Sequence, residues 1–161
     1  MHRFVGHEFG SSTRFGKVHR KHHAKKDYFE TRTNKVKAAL KTGVPMGILG
    51  VLVVGAESGI AFTLGFIATY GGYEYLHYTL HVKAPTNFYG RWARRHHFYH
   101  HFEKPAVNHG ITSPLWDIVF GTYVKPDTVR VPRKFAMCWL INEEDAVWPN
   151  LVGDYSLKGR G

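Results

Sequence analysis

Ten of the chain's twelve histidines fall into four short clusters: His2 with His7, His19 with His22 and His23, His77 with His81, and His97 with His100 and His101. The pattern HxxHH occurs twice among them, at 19–23 and 97–101. Neutral imidazole is a ligand for iron, copper, zinc and nickel. One zinc site takes about four ligands, so this supply of imidazoles points to a metal centre with more than one ion. Cys138 is the only cysteine. A disulfide framework or a Cys-ligated cluster within one chain is therefore excluded, and the ligands must be nitrogen and oxygen.

On helices, these spacings become geometry. His77 and His81 stand at i and i+4, share a face and can meet one ion. In HxxHH the first histidine lies on the face of the other two, while the adjacent pair diverges by about 100° and can reach two different ions. Two such triplets facing each other across a bundle give a dinuclear cage. His2 and His7, five apart, are roughly 140° apart around an α-helix; they suit separate ions or a locally distorted turn. His96 and His109 are left over. His96 is expected at the surface or in support of a ligand, and His109 near the site through Asn108-His109-Gly110. The clusters are dispersed over residues 2–101 among aromatic, periodic segments, which sets them apart from a histidine-rich low-complexity tract.

The elements that must position these residues are helices. Residues 2–10 read as the end of one, stopped at Gly10-Ser11-Ser12, and another spans about 13–26. A basic helix runs from about 28 to 41, and further helices occupy 73–82 and 88–102, the last stopped by Pro105. Between Gly43 and Gly72 the only charged side chain is Glu57. As one helix this stretch would extend about 45 Å, more than the roughly 30 Å hydrocarbon core of a membrane. As two helices joined at Glu57-Ser58-Gly59, each arm would reach only about 20 Å, too short to span. A hairpin that enters the membrane and returns is expected, because the histidine clusters flank it and share a site only if the chain comes back. Basic residues at both ends (Lys35, Lys37 and Lys41; Lys83, Arg91, Arg94 and Arg95) place both flanks and the metal site on the cytoplasmic side by the positive-inside rule. The alternative is a buried hairpin in a soluble helical protein.

The formal charge of +10 is concentrated between Arg14 and Lys41. Together with the basic and aromatic run RWARRHHFYHHF (91–102) it has a nucleic-acid reading, but the apolar hairpin favours a membrane surface, and no nucleic-acid partner is expected. The length, 161 residues with 43% apolar side chains, fits one domain. The expected fold is all-α: a membrane-associated helical bundle with an apolar helical hairpin and a histidine-lined dimetal site.

The motifs HRFVGH, HRKHH, HYTLH and HFYHH, followed by NHGITSPLWDIVFGTY (108–123), resemble in composition and order the fatty acid hydroxylase and sterol desaturase superfamily of integral-membrane enzymes. The similarity covers about residues 2–125, and the spacing is most similar to that of the fatty acid 2-hydroxylases. The resemblance implies a membrane-bound di-iron oxygenase that hydroxylates or desaturates a lipid acyl chain or sterol with dioxygen and two electrons. Carried over position by position, its ligands are His2, His7, His19, His22, His23, His77, His81, His97, His100 and His101. Glu74, Asn108, His109, Thr112 and Asp117 are candidates to hold imidazole N–H groups. Breaking an unactivated carbon–hydrogen bond is beyond any side-chain acid or base, in keeping with a redox metal. The two ions are expected to be iron, with zinc able to occupy the same ligands in a purified sample. The implied partners are the membrane, a lipid substrate, dioxygen and a separate electron-donor protein.

Two alternatives accompany this reading: a carotenoid-type hydroxylase, against which the TSPLWDIVFGTY block argues, and a truncated, non-catalytic metal-binding membrane protein. Members of the superfamily carry further membrane helices ahead of the HR motif, so either the true start lies upstream or this is a reduced member. Residues 1–132 are expected to form the catalytic domain, with 133–161 a tail of unknown role whose Trp139 and Trp148 pack on that domain or lie at the membrane interface.

Overall fold

The computed structural model describes residues 2–9, 12–25 and 28–159, so the expected stop at Gly10 and Ser11 lies outside the described residues. The chain is mostly helical. His2–Glu8 is a π-helix, followed by α1 (Arg14–Ala24), α2 (Arg32–Val54), α3 (Ala56–Val82), α4 (Phe88–Phe102) and the short α5 (Leu115–Val119). Side-chain caps set three of the helix starts, as expected for Thr and Asn at these positions. Thr13 Oγ1 accepts from the Gly16 N–H at 2.9 Å, Thr31 Oγ1 from Asn34 at 3.3 Å, and Asn87 Oδ1 from Gly90 at 2.7 Å. The chain forms two compact units, one of residues 29–76 and the other of the segments through Tyr28 and from His77 onward.

In the first unit the helices are longer than the hydropathy pattern implies. The basic segment and the first apolar run form one helix of 23 residues, and the second apolar run continues through the HYTLH segment as one helix of 27. At 1.5 Å per residue these extend about 34 and 40 Å, so the expected 20 Å arms are corrected. Composition changes at Lys41 and Tyr73, but no helix stop accompanies the change. The turn also moves: it falls at Gly55, with φ of 87°, rather than at Glu57-Ser58-Gly59. Glu57 opens α3 instead. The combination of φ 87° and ψ 165° is readily adopted by glycine, which places the reversal there.

Small residues let the two arms approach closely. A Cβ on Gly47 would meet Thr63 Oγ1 at 2.8 Å, one on Gly43 would meet the Phe66 ring at 3.6 Å, and one on Gly59 would strike the backbone of Gly50 and Val51. Small residues at a helix–helix seam let two backbones approach in this way. The outer faces remain bare, with Leu52 77% and Leu64 62% exposed. Among the described residues, one helix, α2, is long and apolar enough to cross a membrane.

The second unit carries the histidines. Phe98 of α4 packs in one buried cluster with Val129, Val131, Leu140, Leu151 and Tyr155. Val129–Pro132 (β1) and Tyr155–Lys158 (β2) pair in parallel, with Val129 opposite Tyr155 and Val131 opposite Leu157. This small sheet is an addition to the expected all-α fold. The segment beyond residue 132, given no role by the sequence pattern, thus shares an apolar cluster with Phe98 of α4.

Candidate metal centre

The ten clustered histidines come together in two groups of five. His2, His7, His19, His23 and His100 form the first, and His22, His77, His81, His97 and His101 the second; in each, the offered ligand atoms lie within 4.8 Å of one another. Each HxxHH triplet divides between the two. His19 and His23, one helical turn apart, join the first group while His22 crosses to the second; His97 and His101 join the second while His100 crosses to the first. The adjacent pairs His22-His23 and His100-His101 thus each reach both groups, as the 100° divergence predicts. His23 and His101 stack between the groups at a centroid distance of 3.9 Å.

His2 and His7 both enter the first group. The π-helix makes this available: its i→i+5 hydrogen bonding, extended by Phe9 N–H to the Phe4 carbonyl at 2.7 Å, brings residues five apart close to one face. Of the two readings open for this pair, the distorted turn is the one realised.

The donor atoms fit a bound cation. His19 Nε2 lies 2.8 Å from His2 Nε2 and 2.9 Å from both His7 Nε2 and His23 Nε2. A neutral imidazole nitrogen carries either one proton or one lone pair, so four that converge in this way cannot satisfy one another, whereas they suit a shared electrophile. In the second group His22 Nε2 faces His77 Nε2 at 3.1 Å, and His81 Nε2 faces His97 Nε2 at 2.9 Å. The opposite ring nitrogens are anchored to carbonyls, which only accept. His2 Nδ1 donates to His109 at 2.6 Å, His22 Nδ1 to Tyr28 at 2.8 Å, and His100 Nδ1 to Val107 at 2.8 Å. These bonds fix the tautomer that leaves the Nε2 lone pair for a metal. His100 Nε2 and His101 Nε2 are buried without a hydrogen-bond partner among the described residues.

Burial sets the electrostatics. It pushes the His2 imidazole down to about 3, against the opposing pull of the His109 carbonyl, and repulsion from His7, His109 and His22 lowers it further. His7 falls to about 4, through burial and then the charge of His109. His97, His100 and His101 are lowered by burial and by neighbouring imidazoles. All five are neutral near pH 7, the form that binds metals.

Of the candidate supporting residues, Asp117 and His109 stand at the histidines. Asp117 accepts from His96 Nε2 at 3.1 Å, from the His109 and Gly110 N–H groups at 2.8 and 2.7 Å, and from Thr122 Oγ1 at 2.8 Å. The carbonyl of that same His109 receives His2 Nδ1. The His109 ring lies 5.2 Å from that of His100 and 5.4 Å from that of His7. The other three have different partners. Asn108 exchanges two hydrogen bonds with the backbone of Val124, exposed Thr112 accepts through its carbonyl from the Tyr89 hydroxyl, and Glu74 pairs with Lys35 Nζ at 2.5 Å. His96 is 1% exposed and bound to Asp117, so the surface reading of it is replaced by a buried one.

Sequence reasoning missed what Arg94 and Trp139 hold, although it counted Trp139 among residues that pack on the domain or lie at the interface. Arg94, counted there as part of a basic flank, is buried and donates to the carbonyls of Thr79, Lys83 and Gly90; Arg91 and Arg95 of the same flank pair with Asp154. Trp139 Nε1 donates to the His81 carbonyl at 2.9 Å. Neither residue is a metal ligand type, so no spacing marks it.

Comparison with known proteins gives a consistent family. Over 70 residues the chain is 41% identical to the dihydroceramide fatty acyl 2-hydroxylase of Arabidopsis thaliana, a match covering 44% of this chain and 28% of that protein. It is 36% identical over 72 residues to the ceramide very long chain fatty acid hydroxylase of Saccharomyces cerevisiae, covering 44% and 18%. To the fatty acid 2-hydroxylase of Rattus norvegicus it is 35% identical over 77 residues, covering 47% and 20%. The matched region thus spans less than a third of these relatives' own length. No solved structure matches the chain significantly. The fatty acid hydroxylase family model matches residues 1–122, and with two five-histidine groups built from the motifs inside that range, the chain belongs to the fatty acid hydroxylase family.

Proposed function

We propose that this chain is a membrane-bound di-iron oxygenase that hydroxylates the acyl chain of a lipid, drawing two electrons from a separate donor protein and using dioxygen. The single observation that carries this reading is the sorting of ten histidines into two groups of five, each compact enough for one ion. The ligands are the members of those groups. Iron held there supplies the redox power to activate dioxygen and attack an unactivated carbon–hydrogen bond, which no side chain can do.

The chain's own residues prepare that chemistry. The carbonyls of His109, Tyr28 and Val107 orient three ligand rings, and burial keeps the imidazoles deprotonated and excludes water: His97 and His100 are fully buried. A lipid as substrate is supported by three features. The hairpin exposes apolar faces on both arms. The run LWDIVF at 115–120 is turned inside out: its one acid, Asp117, is buried while Trp116, Ile118 and Val119 are each more than half exposed. The relatives are named for hydroxylation of ceramides and fatty acids, which favours the acyl chain over a carotenoid and hydroxylation over desaturation. The membrane reading places the hairpin in the bilayer, with the metal site and the basic residues at its ends on the cytoplasmic side.

The test is elemental analysis of the full chain purified in detergent under reducing, anaerobic conditions, followed by lipid oxidation in air with a supplied reductant. About two irons per chain and oxygen-dependent hydroxylation of a ceramide or fatty acyl lipid are expected. The absence of stoichiometric metal, or iron without lipid oxidation, would overturn the reading.

A further inference from the structure

We infer that Trp139, together with Arg94, is a positioning residue for the second histidine group, so that the segment following residue 132 belongs to the metal centre. This rests on the proposed ligand role of His77 and His81. The last four carbonyls of an α-helix have no partner within it, and at the end of α3 these side chains supply donors, joining the Lys83 N–H at the Thr79 carbonyl. Trp139 Nε1 donates to the carbonyl of His81 itself at 2.9 Å. Arg94 Nη2 donates to Thr79 at 3.0 Å and Nε to Lys83 at 2.9 Å, one residue beyond the helix, while Nη1 holds its own helix at Gly90.

The two donors also hold each other. The Arg94 guanidinium lies 5.6 Å from the Trp139 ring centroid, within cation–π range. The indole packs against Phe98 of α4 at 6.0 Å and Tyr155 of β2 at 5.9 Å. The final turn of α3 is thereby fixed to α4 in both rotation and height. That turn carries His81, and α4 carries His97, whose Nε2 atoms lie 2.9 Å apart, close enough to meet one ion. A rotation of the α3 end by a few tens of degrees would carry His81 out of the group with no change in any ligand. The first group takes His100 from α4 but no histidine from α3, so the bonds made to the end of α3 act on the second group.

The test is Trp139→Phe in the full chain, which keeps an aromatic ring and removes the donor. Metal release to a chelator is followed in wild type and variant, and read as two phases, one per group. Because losing a hydrogen bond that orients a ligand typically costs 10–100-fold in metal affinity, one phase should accelerate by about tenfold or more, with the other phase and the helical circular dichroism unchanged. Where the phenylalanine variant folds poorly, a benzothienylalanine at position 139, isosteric with tryptophan but without the N–H, makes the same test. Two phases unchanged from wild type, or both accelerated alike with a lowered melting temperature, would overturn the clasp and leave Trp139 a packing residue. Wild-type protein that holds no metal at all would instead sink the oxygenase reading itself, and the clasp with it.

Discussion

At the scale of single residues, Asp117 connects the TSPLWDIVFGTY block to the first histidine group. Burial on its own would raise its carboxyl, but hydrogen bonds from His96, Gly110, Thr122 and His109 outweigh it and hold the pKa at about 2. The geometry leaves no slack, since a Cβ on Gly110 would collide with the Ser113 carbonyl and lie 2.9 Å from Asp117 Oδ2. Asp117→Asn keeps the shape but turns an NH₂ toward donors. It should cost about 1.5–3 kcal/mol of stability, the value of hydrogen bonds to a charged acceptor. It should also weaken metal retention in the first group by about tenfold or more, because the His109–Gly110 peptide, whose carbonyl receives His2 Nδ1 and whose N–H donates to Asp117, is released. Thermal melts and chelator competition measure the two effects separately; lower stability with intact metal retention would mean that His2 is held without Asp117. The sequence marked Asp117 only as one polar residue among several. Its distinction from Asn108 and Thr112 lies in backbone contacts that no spacing encodes.

At the scale of elements, what was legible is what repeats. The i, i+4 and adjacent spacings of the triplets predicted the division between two groups because helical geometry is local and fixed. The HxxxxH pair left two readings open, since the spacing of two histidines does not encode the choice between α and π winding. The hairpin was legible as an apolar span but not in its lengths or its turn, because hydropathy reports the solvent of a helix and not where its hydrogen bonds stop. The glycines of the seam can be distinguished experimentally. Gly59→Ala puts a methyl group into the Gly50-Val51 backbone, whereas Gly65→Ala meets nothing within 4 Å. Overpacking of this kind costs about 1–3 kcal/mol. The first substitution should therefore lower the melting temperature in detergent, and the second should leave it unchanged or raise it slightly through helix propensity. Equal effects would show that the arms do not meet along this seam.

At the scale of the whole molecule, one unit encloses ten clustered imidazoles beside its apolar core, and this makes the metal-free protein acid-sensitive. His2 and His7 titrate near 3 and 4 in the folded chain, with His97, His100 and His101 lowered as well, against an ordinary value of 6.5 for each when exposed on unfolding. Between pH 6.5 and the folded values the unfolded chain binds protons that the folded chain refuses. Stability therefore rises with pH across that window and is level with respect to these groups above it. Each such histidine steepens the slope by up to about 1.4 kcal/mol per pH unit. The chelated protein should thus keep its melting temperature from pH 8.5 to 7 and lose it steeply from pH 6.5 to 5. Bound metal displaces the loss to lower pH, because protons must then compete with the ion for the same lone pairs. A metal-free melting temperature that stays flat from pH 7 to 5 would mean that the imidazoles are hydrated rather than enclosed. In that case the burial that keeps them ready as ligands would have to come from the metal.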